Sequence, residues 1–321
     1  MDVVAATGEL LQEILDETFP IWGEGLARDA YGKYNRAQSA TPWGVAHLRR
    51  VALVDRGLLL ATAKRYELEA LVEHQPVRML GLGAVFTPEA RRGHGYAGEL
   101  LRRILEEAAD QGFRLALLFS EIDPRFYERL GFRRLTTNQV AFSVKPLKRG
   151  GTPFIPMRSG DFGDVKSIVE MNQTMAARFR FALSRGPDYV RHAIARKRLL
   201  AACGSPGHRK VEFFVVEEGG RAAAYVVMLE VGEHTMITEC GDRDPTGARV
   251  GAILQAVVAR EPARVMRWRA WMPPGFLPPQ LEIPSHELSP VTMMMRPLGR
   301  EVWPSAPLGP HEMAWWHADA F

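Results

Sequence analysis

The sequence predicts an α+β protein made of two tandem domains. Three observations carry that reading. Helical and strand-like stretches alternate, and hairpin signals at Asp55-Arg56-Gly57 and Gly219-Gly220 join strand pairs. Two stretches end alike, Gln139-Val-Ala-Phe-Ser-Val-Lys-Pro-Leu147 and Val291-Thr-Met-Met-Met-Arg-Pro-Leu298, which marks an internal repeat. An apolar strand, Val77–Thr87, runs through a loop of small residues into a helix, the local form of an anion-binding turn.

Taken in order, Gly8–Phe19 has apolar residues at helical spacing, with Pro20 and Gly23 as interruptions. A second helix covers about Gly25–Asn35. Val45–Val54 and Leu58–Leu71 read as paired strands, followed by Val77–Thr87. Ala97–Gln111 is a helix whose face carries Leu100, Leu101, Ile104, Leu105 and Ala108, with Gly112 as its stop. Phe113–Phe119 is a buried strand. Asp123 before Pro124 marks the N-cap of a short helix ending at Gly131. Asn138–Pro146 is a further strand, and Leu147–Pro153 a linker. The second half repeats the order. Its helices lie near Asp161–Arg178, Pro187–Ala202 and Thr246–Arg260. Its strands are Val211–Glu217, Ala222–Val231, Thr235–Cys240, Ala263–Trp271 and Val291–Leu298. The expected domains are therefore 1–147 and 154–298, with a tail, 299–321, packed back on the body. Trp303, Trp315, Trp316 and Phe321 make that tail too aromatic for a disordered segment.

Composition narrows the function. Hydrophobic residues make up 46% and charged residues 24%, as in globular proteins. A net charge of +4 is too small to argue for nucleic acid, yet would suit a polyanionic ligand. Cys203 and Cys240 are the only cysteines, so a reduced, cytoplasmic setting is expected, without disulfides or a zinc ribbon. No metal-ligand spacing appears among the histidines, and no metal is expected. Met1-Asp2-Val3-Val4 has no basic stretch before an apolar core, so no secretory signal is expected. The longest apolar run, Ala222–Leu229, is too short to span a bilayer.

The chemistry centres on Arg92-Gly93-His94-Gly95-Tyr96-Ala97. Small residues there let a ligand approach the backbone. The N–H groups of the first helical turn lack internal partners and lie at the positive end of the helix dipole. Such a turn binds phosphate or diphosphate. A dinucleotide fingerprint fits poorly, because some eighty residues precede the loop and only Glu121 approximates the required acid. The Lys-Ser/Thr of a P-loop is missing. A second element decides: after one helix and one strand comes Pro124-Arg-Phe-Tyr-Glu-Arg-Leu-Gly-Phe132.

The pair R-x-x-G-x-A and F-Y-x-x-x-G-F, in that order, resembles the GNAT acyl-CoA N-acyltransferase superfamily. The resemblance covers residues 48–147 best. It implies two tandem GNAT-like domains, each a mixed, mostly antiparallel sheet flanked by helices. It also implies acetyl-CoA as co-substrate, held through its diphosphate by Arg92, Gly93, His94, Gly95, Tyr96 and Ala97. Backbone groups of Val85, Phe86 and Thr87 would hold the pantetheine arm, with Ser120 in place of the family's usual Asn. Tyr127 takes the general-acid position. Tyr31, Tyr34 and Trp43 are candidates for the acceptor wall.

The family's common acidic base is missing from Gly81-Leu-Gly-Ala-Val85. Glu121, Asp123 and the terminal carboxylate of Phe321 are the substitutes. The last is implied by resemblance to the Eis-like aminoglycoside acetyltransferases, whose sterol-carrier-like domain this chain lacks. His317 and Asp319 are further candidates for the acceptor site. The second copy carries Gly241-Asp-Arg-Asp-Pro-Thr-Gly247 where the first has its cradle. Asp242 and Asp244 would repel a diphosphate and Pro245 removes a donor, so that domain is expected to be catalytically dead.

The resulting expectation is an N-acetyltransferase acting on a primary amine of a small molecule, or on protein lysines. Lysine-like amino acids, polyamines and aminoglycosides stay open as acceptors. No nucleic acid and no membrane are expected as partners, and self-association into a homo-oligomer is left open. A non-catalytic acyl-CoA sensor and a nucleotide-binding oxidoreductase are the competing classes.

Overall fold

The computed structural model describes residues 1–147, 155–288, 291–299 and 306–321; most of the expected linker, from Lys148 to Pro153, and Trp303 lie outside the described residues. The chain divides into two compact units. The first is Met1–Thr136 with Pro290–Gly309 and Phe321; the second is Thr137–Ser289 with Pro310–Ala320.

The chain opens with β1 (Asp2–Ala5), α1 (Gly8–Trp22), α2 (Arg28–Ser39) and α3 (Pro42–His47). A meander follows: β2 (Leu48–Asp55), β3 (Leu58–Val72) and β4 (Gln75–Phe86). Then come α4 (Tyr96–Asp110), β5 (Leu115–Ser120), α5 (Arg125–Glu128), β6 (Arg133–Leu135) and β7 (Asn138–Val144). The second half adds β8 (Met157–Ser159), α6 (Val165–Ala176), β9 (Phe181–Leu183) and α7 (Pro187–Cys203). It continues with β10 (Arg209–Glu218), β11 (Arg221–Val231), β12 (His234–Asp242), α8 (Ala248–Arg260) and β13 (Arg267–Ala270). The chain closes with β14 (Leu281–Leu288), β15 (Thr292–Pro297) and β16 (Met313–Ala314).

Both units are mixed, mostly antiparallel sheets flanked by helices, as the sequence predicts. The first has strand order β1-β2-β3-β4-β5-β15-β6, and the second β8-β10-β11-β12-β13-β7-β14 when read in the matching direction. Along these two strand orders each sheet has one parallel pair at the same place, β4 with β5 and β12 with β13.

The structure adds one strand and changes two local expectations. The added strand is β1, paired antiparallel to β2 from Asp2↔Val54 to Ala5↔Val51. Pro20 does not end α1. Its ring removes the donor that the Asp16 carbonyl would accept, and Arg28 Nη1 donates to that carbonyl instead at 3.3 Å. The two repeat endings also change places. Asn138–Pro146 was expected to close the first domain and Val291–Leu298 the second. Instead β7 pairs with β13 and β14, and β15 pairs with β5 and β6. A strand's own residues specify which face it buries, not which of two similar sheets it joins.

The core of the first unit lies between the sheet and α4. Leu100, Leu101, Ile104, Leu105 and Ala108, the face read from the sequence, are all buried against Leu80, Leu82, Ala116 and Leu118. Met294 of β15 is fully buried in the same cluster. Methionine-to-alanine changes at such sites cost about 2–5 kcal/mol through lost contacts and the cavity left behind. Met294→Ala should lower unfolding stability by that amount in denaturant titration. A change below about 0.5 kcal/mol would mean that β15 is not part of this core.

Candidate active site

The site forms where β4 and β5 part. Their parallel ladder runs from Met79↔Leu115 to Leu82↔Leu118 and stops, although both strands continue. On its other side β4 carries one extra residue. Lys64 of β3 faces Gly83 and Thr62 faces Phe86, so three steps of β4 match two of β3. This bulge bends β4 away from β5. Ala84 within it has φ +47°, a left-handed value that few non-glycine residues adopt. Beyond Leu82, β4 therefore turns backbone toward a gap with no β5 partner. Val85 and Phe86 lie on this stretch, with Thr87 just after it. Phe86 is buried with its ring edge-on to Trp22 at 6.3 Å.

After β4, a 3₁₀ turn at Glu89–Arg91 leads to Arg92, whose Nε donates to the Thr87 carbonyl at 3.3 Å. Gly93 and Gly95 have φ +82° and +79°, and Gly95 is the N-cap of α4. A Cβ placed on Gly93, Gly95 or Gly98 would meet nothing within 4 Å. The turn is therefore open, not filled by its own side chains. His94 is exposed and stacks on Tyr96 at 5.6 Å. Glu99, the acid of the first helical turn, is engaged by Arg102 and Arg103 at 2.7 and 2.6 Å. Those bonds hold its carboxyl below the usual range and offset its repulsion of an anion.

Tyr127 sits on α5, at the end of β5. It is buried in the α4-side cluster, with its ring edge-on to Phe126 and Phe132. Burial pushes its phenol up to about 12, so it stays protonated at neutral pH. Ser120 is buried, and its hydroxyl donates to the Ile122 carbonyl at 2.9 Å. It can offer a cofactor only its lone pairs. Glu121 is exposed. The N-cap of α5 is Pro124, not Asp123 as expected; Asp123 accepts from Arg125 N at 3.0 Å and is also held by the Arg125 guanidinium.

Phe321 belongs to the first unit. Its ring lies 4.6 Å from Tyr66 and edge-on to Phe119 at 5.5 Å. A Cβ on Gly81 would come within 2.5 Å of that ring, and one on Gly83 within 3.1 Å of the terminal carboxyl carbon and oxygen. Phe321 thus fills the place of side chains that β4 omits, with its main-chain carboxyl carbon and oxygen beside Gly83. It lies on the sheet face opposite α4, whereas Tyr127 packs on the α4 side. The two groups flank the gap. Gly81, Gly83 and Tyr66 were missed in the sequence. The available signal was two glycines on one face of a buried strand, a sign of close approach by another group.

The second unit has the same skeleton with the turn closed. The β12–β13 ladder ends at Ile237↔Ala270, and α8 starts from Gly247 at φ +71°. Here the carboxylates take the donors: Asp242 accepts from Asp244 N and Arg249 N at 2.9 Å each, and Asp244 accepts from Thr246 N at 3.0 Å. A Cβ on Gly247 would meet Phe276 at 2.9 Å, and one on Gly251 would strike Gln280. The tail is built into this unit as well. Asp319 pairs with buried Arg185 at 3.1 Å, and Trp316 Nε1 donates to Asn172 at 3.2 Å. Arg196 donates to the carbonyls of Ala318 and Ala320 at 2.8 and 2.6 Å, and His317 lies edge-on to Trp271. Asp319 and His317 are thereby committed to the second unit's interior.

Residues 15–135, inside the first unit, match the family described as acetyltransferase (GNAT) domain. The chain carries a GNAT acyltransferase domain. GNAT domains use acyl-CoA donors and amine acceptors. The whole fold is similar to a GCN5-related N-acetyltransferase from Kribbella flavida, at 17% identity over 92% of this chain and 71% of that one, with TM-score 0.67. It is also similar to Eis1 from Mycobacterium abscessus, at 13% identity over 93% and 74%, TM-score 0.57. Saccharomyces cerevisiae N-myristoyltransferase with bound myristoyl-CoA matches at 10% identity over 97% and 83%, TM-score 0.56. No curated protein matches the chain. Among the described residues, no helix is long and apolar enough to cross a membrane, and no group of acidic, histidine or cysteine side chains could hold a metal.

Two predictions follow from this geometry. Gly98 is helical and open, so Gly98→Leu should leave the thermal midpoint within about 3 °C while weakening coenzyme A binding at least tenfold by calorimetry. Unchanged affinity would show that the turn does not hold the diphosphate. The second concerns Tyr127, whose folded-state pKa lies above the ordinary 10. Its contribution to stability is whole below pH 10 and is lost as pH rises toward 12. Wild type should therefore lose more stability than Tyr127→Phe between pH 10 and 12 in urea titrations; parallel losses would place the phenol in water.

Proposed function

We propose that the protein is an N-acetyltransferase that moves the acetyl group of acetyl-CoA to a primary amine of a small molecule. The observation that carries this reading is the pairing of an open, donor-lined turn at Gly93–Ala97 with a strand gap that has a carboxylate at its edge. Acetyl-CoA supplies an activated thioester. The Gly93–Ala97 amides hold its diphosphate, with Arg92 adding charge, and the β4 backbone from Val85 to Thr87 orients the arm.

The acceptor amine must be neutral to attack. The Phe321 carboxylate takes its proton as the C–N bond forms and the C–S bond breaks. Tyr127 gives a proton to the departing thiolate; its phenol is protonated throughout the neutral range. Glu121, exposed and beyond the end of β5, is the weaker candidate base.

Tyr127→Phe should lower kcat by roughly 10²–10⁴, the usual worth of one positioned acid, with coenzyme A affinity unchanged. Adding two glycines after Phe321 should cut turnover at least tenfold in a thiol-release assay with an amine panel. Full activity in the extended chain would reject the terminal carboxylate as base. Coenzyme A binding with no thiol release across the panel would favour an acyl-CoA sensor instead.

A further inference from the structure

The face of the first sheet that carries Phe321 holds another charged group. Arg50 of β2 stands opposite Lys64 of β3, and Lys64 stands opposite Gly83 of β4. Directly paired residues on antiparallel strands share a face. Arg50, Lys64 and Gly83 are therefore aligned across three strands, on the side away from α4. At a strand spacing of about 4.8 Å, the Cα atoms of Arg50 and Gly83 lie about 10 Å apart. Gly83 is where the terminal carboxylate stands.

Both terminal nitrogens of Arg50 are shut off from solvent and have no hydrogen-bond partner among the described residues. The described ion pairs include none to Arg50, the chain terminus included. The groups that act on it are the phenols of Tyr31 and Tyr66, and burial pulls its pKa down. Tyr31 is turned to Thr18, 3.0 Å from its hydroxyl, and Tyr66 packs on the Phe321 ring. An unpaired buried guanidinium is costly. The fold keeps it on the face that carries Phe321. A planar fork of donors in a dry site fits one chemistry best, a carboxylate bound through two parallel hydrogen bonds.

We propose that Arg50 binds the carboxylate of the acceptor, so that the preferred substrate is an amine of the amino-acid type. This deepens the N-acetyltransferase reading and rests on it. The amine faces the terminal carboxylate near Gly83 while the acid end faces Arg50. The substrate's amine thus meets the carboxylate at Phe321, and its acid end meets the cationic side of the face, where Arg50 stands opposite Lys64. Polyamines and aminoglycosides, which bring only positive charge, are disfavoured because they leave Arg50 unpaired.

The test uses matched pairs that differ only in the carboxylate: lysine and cadaverine, ornithine and putrescine, phenylalanine and phenethylamine. Each is assayed with acetyl-CoA by thiol release. Wild type should prefer the acid of at least one pair tenfold or more in kcat/KM. Arg50→Gln should erase that preference by raising KM for the acid at least tenfold, with kcat within threefold and the decarboxylated partner unaffected. Arg50→Lys should restore part of it. Arg50→Gln should also keep or raise the thermal midpoint, whereas a structural arginine would lower it. Equal or better turnover of the decarboxylated amines, or an equal loss on both members of a pair, would overturn the proposal. Should no acceptor turn over, calorimetry with the N-acetyl forms of the three amino acids decides. Saturable binding to wild type but not to Arg50→Gln supports the site, and no binding rejects it. Coenzyme A titration of the same samples reports separately on the acyltransferase reading and on whether each variant is folded.

Discussion

The first unit depends on where one parallel ladder stops. Between Met79 and Leu82, β4 is a buried strand bonded to β5, with Leu80 and Leu82 packed under α4. One residue further, the bulge opposite β3 turns the chain and the pairing ends. A backbone that leaves its ladder has N–H and C=O groups that still need partners. The same turn of chain brings α4 to start from Gly95, with further unpaired N–H groups at its first turn. Both sets of donors lie within a few residues of each other because strand, loop and helix follow without a break. The sheet thus leaves unpaired backbone groups beside an apolar core.

The second unit shows what happens when that track is satisfied from within. Its ladder stops at the corresponding pair, and its helix also starts from a left-handed glycine. Yet Asp242 and Asp244 cap the free N–H groups, and Phe276, Pro278 and Gln280 fill the space above Gly247 and Gly251. A diphosphate would have to displace bonds already made and face two carboxylates. The topology is kept while the chemistry is closed. The tail segment Met313–Ala320 adds to this unit's core through Trp316, Ala318 and the Asp319–Arg185 pair.

The absence of an acid on β4 has a geometric explanation. Gly81 and Gly83 leave a shallow trough on the face away from α4, and the ring and carboxylate of Phe321 lie in it. A side chain at 83 would press on Phe321, its Cβ lying 3.1 Å from that residue's carboxyl carbon and oxygen. Burial favours the neutral form of Tyr127, while the terminus brings an anion to the other face of the gap. Tyr127 and Phe321 thus lie on opposite faces of a sheet whose β4–β5 ladder stops at Leu82↔Leu118.

The sequence by itself determined the α+β alternation, the apolar face of α4, the glycine turn, the position of Tyr127 and the loss of the cradle in the second copy. Each of these is a local property. Periodicity fixes a face, a left-handed turn needs glycine at Gly95, and an aspartate beside free N–H groups caps them wherever it occurs. The tertiary structure alone decided which sheet takes β7 and which takes β15, since two similar strands offer each sheet the same apolar edge. It alone brought Phe321 to Gly83 and set Arg50 in line with both, because these residues are far apart in the chain and only strand register makes them neighbours.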